Sequence, residues 1–217
     1  MGWEFAITVI AAVFAIVNPI GNIPVFVAIT DGYTQEQKRR TRIRTCFVAA
    51  GVLIGFGIFG QYIFQLYGIT IPAFKIAGGI LLFSIAFSMT RGQVPMSKIT
   101  QDEHEEAEAK EEVGVVPLGI PLFAGPGAIT TVMIYISYAM GTGDPVFDVL
   151  SVFLAIVITV VVSYLLLKYA DPIFSRMGKT GANAFTRIMG LLLAAMAIEF
   201  ILSGTFGAIQ EYWHLHP

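Results

Sequence analysis

The chain has 217 residues, 56% of them hydrophobic and 13% charged, with a mean hydropathy of +0.75 and a formal net charge of −2. This balance excludes an ordinary soluble domain, and the near-zero charge points to no class of partner. The one cysteine, Cys46, excludes an internal disulfide.

Apolar runs recur at residues 5–30, 46–67, 73–89, 113–139, 146–169 and 188–209. Each is about 17 residues or longer, enough to cross a hydrocarbon core of ~30 Å at ~1.5 Å per residue. The expected fold is an all-α integral membrane protein with six transmembrane helices. Residues 1–4 lack a basic stretch, so the first run reads as a retained span rather than a cleaved leader.

The first run contains "FAIVNPIGNIPVFVAIT" at residues 14–30, in which Asn18, Pro19, Gly21, Asn22 and Pro24 interrupt a helical pattern. Proline removes an N–H donor and glycine permits backbone angles closed to other residues. Asn22 suits a helix start, with Pro24 in the turn that follows. The fourth run repeats the device in "PLFAGPGAITTVM" at residues 121–133: Gly125 can cap, Pro126 takes the first helical position, and Gly127 leaves the backbone uncovered. Freed backbone groups are costly in lipid, so two such breaks ask for a function, although a single one could be a structural kink.

Basic residues orient the chain. Lys38, Arg39, Arg40, Arg42 and Arg44 follow the first span; Arg91, Lys98 and Lys110 follow the third; Lys168, Arg176, Lys179 and Arg187 follow the fifth. With six crossings these lie on one face, the cytoplasmic one, and both termini lie outside. The expected location is the plasma (inner) membrane. Re-entrant hairpins would put the last cluster on the opposite face. Trp3 and Trp213 fall where aromatic rings favour the interface, and residues 38–44 would touch anionic headgroups. Lys75 is expected to snorkel, and Ser84 and Ser88 to bond their own backbone or pack.

The two halves read as weak copies. Residues 1–90 form the first three-helix repeat, 91–112 a charged cytoplasmic linker, and 113–217 the second repeat. "AFKIAGGILLF" from Ala73 parallels "AFTRIMGLLLA" from Ala184. Three crossings per half make the second copy inverted, with broken helices 1 and 4 in equivalent places, as in many secondary transporters. Inversion would bring the two new helix starts face to face, pooling N–H donors for an anion or carboxylate, with loose carbonyls nearby for an ammonium. A small zwitterion matches. The candidate substrate-binding residues are Asn18, Pro19, Gly21, Asn22, Ala124, Gly125, Pro126, Gly127, Thr130 and Thr131.

Glu199, within the sixth run, is a further candidate, as a proton carrier or ammonium partner, because an intramembrane carboxylate costs at least ~2.5 kcal/mol. A protonated structural role is the alternative. In the linker, "DEHEEAEAKEEV" places His104 among carboxylates; it reads as a solvated segment rather than a metal site. All three histidines fall outside the spans, and no nucleotide loop or paired intramembrane aspartates occur, so an enzyme is not expected. No cofactor is expected, with H+ or Na+ as candidate coupling ions. The expected partners are small neutral amino acids, membrane lipid and, as an open option, a second copy of the chain; nucleic acid has no support.

"NPIGNIP" from Asn18, "PLGIPLFAGPGAITT" from Pro117 and "RIMGLLLAAMAIEFIL" from Arg187 resemble the MarC family of membrane proteins, which includes the SnatA-type small neutral amino acid transporters. The resemblance covers essentially the whole chain. It implies six helices in inverted repeats and transport of glycine, alanine and similar amino acids, with Asn18, Pro19, Gly21 and Asn22 in one motif and Gly125, Pro126 and Gly127 in the other. The position of Glu199 often holds Gln in that family, so Glu199 is a departure. Export or facilitated passage of another small solute is the alternative function.

Overall fold

A computed structural model describes residues 2–30, 32–91 and 118–215. The expected linker beyond Arg91, with His104, and the start of the fourth apolar run lie outside the described residues.

The first helix, α1 (Gly2–Val17), buries Val9, Val13 and Val17, one side chain per turn. It stops at Asn18, and α2 (Pro19–Ile29) starts with proline at its first position and Asn18 as its cap, not at Asn22 as expected, so Asn22 and Pro24 lie inside it. A reciprocal capping box between Thr34 and Gln37 opens α3 (Gln35–Tyr67), which ends at Gly68 in the left-handed region, φ 63°. Thr70 caps α4 (Ile71–Thr90) through the Ala73 N–H. An irregular π-helical segment, Leu118–Phe123, is interrupted by the extended Ile120 and leads through Gly125 into α5 (Pro126–Ala139). Asp144 caps α6 (Pro145–Lys168), and α7 (Ala170–Leu215) runs for 46 residues.

Among the described residues, five stretches are long and apolar enough to cross a membrane: Gly2–Val27, Gln35–Tyr67, Ile71–Thr90, Pro145–Lys168 and Asn183–Trp213. The fourth apolar run is not among them; what is described of it is the six-residue segment Leu118–Phe123 and the 14-residue α5. Among the described residues all regular structure is helical.

Close approach sets the packing. Helix α4 packs antiparallel on residues 190–207 of α7, with small residues between them. A Cβ on Gly79 would stand 2.8 Å from the Ala197 carbonyl oxygen, one on Gly190 2.9 Å from Met89 Cβ, and one on Gly204 2.7 Å from the Pro72 carbonyl oxygen. Small residues that let backbones touch are the usual basis of helix association in lipid, where burial of apolar surface drives little. Elsewhere α1 packs on α6, and α3 on α5 and its preceding segment; α2 packs on α7, α5 on α4, and α3 on α6. The outer surface is apolar, with Phe47, Phe59, Leu81, Leu165 and Leu191 exposed, as suits hydrocarbon solvent.

The basic run is not uniformly a surface feature. Arg39 and Arg40 pair with Glu36 on the exposed face of α3, whereas Arg42 is buried beside Thr41 and Thr45. The Ser88 hydroxyl donates to the Ser84 carbonyl at 3.1 Å, and Trp3 and Trp213 are exposed near helix ends.

Candidate functional site

The first interruption is a local exchange of hydrogen bonds. Asn18 adopts left-handed angles (φ 49°, ψ 59°), which asparagine tolerates because its short amide can bond nearby backbone. Its Oδ1 accepts the Gly21 N–H at 3.1 Å. In an unbroken helix that N–H would serve the Val17 carbonyl, four residues back. Asn22 Nδ2 takes its place, donating to Val17 O at 3.0 Å. Asn22 is 1% exposed, and its Oδ1 has no hydrogen-bond partner. A Cβ on Gly21 would displace the Asn18 amide that accepts its N–H.

The second interruption leaves donors free. Ala124 N–H reaches back to the Gly119 carbonyl at 2.9 Å, closing the π-helical turn. Gly125 is extended and caps α5 without a side chain; a Cβ there would meet the Pro121 carbonyl oxygen. Pro126 has no N–H, and the Ile129 N–H is the first to find a partner within the cap, Gly125 O at 2.9 Å. The N–H groups of Gly127 and Ala128, in the first turn, have no acceptor of their own helix and no capping side chain. Thr130 turns away, its hydroxyl donating to Gly127 O at 3.1 Å.

Both interruptions border one small cavity of about 20 Å³. Asn18 and Asn22 line it from one side, and Gly125, Pro126, Gly127 and Ala128 from the other. Leu82 of α4 and Leu193, Met196 and Phe200 of α7 close it. A volume of ~10–15 Å³ on this measure admits a single water, so the cavity is contracted. Its chemistry is an unsatisfied amide oxygen opposite the positive end of a helix.

The two helix starts contribute differently. At α2 the Gly21 N–H is taken by Asn18, and of residues 18–22 Asn18 and Asn22 border the cavity, so this side offers their amide side chains. Of the other candidates, Pro19 and Gly21 are buried but do not border the cavity, and neither does Ala124, which is fully buried. Thr131 is half-buried outside it, and Glu199 is exposed on the outward side of α7. No group of residues that could hold a metal occurs among the described residues.

Sequence reasoning missed Leu82, Leu193, Met196 and Phe200. The spacing of 193, 196 and 200 is the helical signal that could have found the α7 face. Met196 Sδ lies 3.7 Å from Asn18 Nδ2, and the Phe200 ring stands against Gly127 so closely that a Cβ there would collide with it.

Comparison with known proteins gives a consistent set of relatives. The protein-family model described as MarC family integral membrane protein matches residues 3–209. The chain is 38% identical to a UPF0056 membrane protein of Methanocaldococcus jannaschii, over 96% of this chain and 100% of that one. It is 36% identical to UPF0056 membrane protein YvbG of Bacillus subtilis, over 95% and 97% of the two chains. It is also 39% identical to UPF0056 membrane protein YhcE of Escherichia coli, over 89% and 88%. No solved structure matches.

Proposed function

From the premise that this chain belongs to the MarC family of integral membrane proteins, we propose that it is a secondary transporter of small neutral amino acids such as glycine and alanine. The observation that carries this reading is the cavity between the two interruptions. The α5 start presents the Gly127 and Ala128 N–H groups towards a carboxylate, and Asn22 Oδ1 is a buried acceptor with no partner, suited to an ammonium. Leu82, Leu193, Met196 and Phe200 leave little room for a large side chain. Admission of even glycine requires these walls to move, which is what alternating access entails.

The reading includes six crossings in two inverted repeats. Neighbour relations support it, because they survive exchange of the halves. Helix α1 packs on α6 as α5 and its preceding segment pack on α3, and α2 packs on α7 as α5 packs on α4. The antiparallel α4–α7 pair then joins the two closing helices. Residence in the plasma membrane with both termini outside, and coupling to H+ or Na+, complete the proposal. Glu199 does not border the cavity, so the roles left to it are those of a proton carrier or a protonated structural residue.

The test is uptake of radiolabelled glycine and alanine into proteoliposomes containing the purified chain, under separate pH and sodium gradients. Saturable uptake or exchange of these substrates is expected. Its absence across a full amino acid panel overturns the substrate assignment.

A further inference from the structure

A second, larger cavity of about 880 Å³ lies at the bundle end that carries the start of α1 and the connection between α5 and α6. Its walls combine carboxylates with aromatic rings. Glu4 and Phe5 come from α1, Tyr135 and Tyr138 from α5, Asp144 from the connection and Asp148 from the first turn of α6. Among the described residues no lysine or arginine lines it.

Two of the carboxylates differ in what occupies them. Asp144 is committed, its Oδ1 accepting the Phe147 N–H at 3.3 Å as the cap of α6. Asp148 is only 6% exposed and borders the cavity, and its Oδ1, itself shielded from solvent, has no hydrogen-bond partner. The α6 N-terminus favours a negative charge at this place, yet its cap is already supplied by Asp144. A buried carboxylate oxygen without a donor is costly and asks for a cationic partner. The rings are held in place: Phe5 stacks on Tyr138 at 5.8 Å between centroids and meets Tyr135 edge-on at 5.9 Å.

We propose that this cavity is a binding site for a primary ammonium group on a short organic stem, with Asp148 as its anion and the Phe5–Tyr135–Tyr138 cluster as its aromatic wall. A bare metal ion fits poorly, because no group of His, Cys, Asp or Glu with metal-holding geometry occurs among the described residues. An ammonium needs one carboxylate and a ring face rather than a closed shell of oxygens. The cavity is wide enough for a small organic cation or for the headgroup of an ethanolamine lipid, which present the same chemistry. The site is independent of the substrate assigned to the central cavity.

The experiment is saturation-transfer NMR on the full chain in maltoside micelles, titrated with ethylammonium chloride at constant ionic strength set with sodium chloride. A saturable ethyl signal is expected, absent with ethanol as the neutral analogue. Asp148→Asn should weaken binding about tenfold, the scale of a lost charge-assisted hydrogen bond. Tyr138→Leu, at a position 65% exposed and so tolerant of change, should weaken it severalfold and decides the matter if Asp148→Asn does not fold. A signal linear in concentration, one shared by ethanol, or one unchanged in the folded variants overturns the proposal. Repeating the titration in nanodiscs identifies the source. Suppression by phosphatidylethanolamine assigns the site to the lipid headgroup, and an equal signal with and without that lipid assigns it to a soluble amine.

Discussion

The ring of Phe200 rests on the bare Cα of Gly127, in the space where any other residue would carry its Cβ. Two segments far apart in sequence, the last span and the second interruption, are thereby locked at the central cavity. The contact also covers the first turn of α5, whose N–H groups are the backbone donors available there.

Gly127→Ala should therefore impair transport through overpacking, which costs ~1–3 kcal/mol, so a tenfold or greater fall in glycine uptake is expected. Shortening the opposing side chain in Gly127→Ala/Phe200→Ala should recover most of the loss. Initial rates in proteoliposomes, with thermal unfolding of the same samples, check both. Failure of the second change to rescue would show that the glycine serves something other than room for the ring.

Asn22 holds the first interruption together. Asn22→Ala removes the donor to the Val17 carbonyl, a loss of ~1–3 kcal/mol for a buried group left unmade. It also removes the free acceptor, so glycine affinity should fall about tenfold as well as thermal stability. Asn18→Gly should behave differently. It keeps the left-handed backbone while freeing the Gly21 N–H, so a smaller loss of stability is expected. Binding and melting measurements on the two variants separate these roles.

Glu199 is the third case. It lies outside the cavity, so Glu199→Gln should leave the half-saturation concentration for glycine within about twofold of the unaltered chain. If the carboxyl carries the coupling proton, accumulation driven by a pH gradient should be lost while exchange persists. A tenfold rise in the half-saturation concentration would instead place the carboxylate in contact with substrate.

The membrane class was legible in the chain, and so was the helix start at Gly125–Pro126, because both depend on local chemistry; the expected cap at Asn22 was four residues late, since Asn18 caps a helix that begins at Pro19. Apolar runs of spanning length have only one suitable solvent, and proline, glycine and asparagine change backbone hydrogen bonding wherever they stand. The fate of individual donors was less legible. The symmetric expectation at the two helix starts gave no reason for Asn18 to consume the Gly21 N–H while Gly125 leaves its helix uncapped, because that depends on side-chain geometry rather than residue type.

Glu199 and Asp148 make the same distinction. Glu199 drew notice as a charge inside an apolar run, yet a helix turns about 100° per residue and nothing local said which side it would face. Asp148 drew none, sitting at a helix start where acids are ordinary, and only the packing of α1 and α5 against α6 left it buried beside an aromatic cavity. The sequence alone determined the solvent this chain lives in, since that follows from the length and composition of its apolar runs. Which residues of α4 and α7 close the cavity, only the tertiary structure decided, since that depends on contacts between segments distant in the chain, such as Asn18 and Met196.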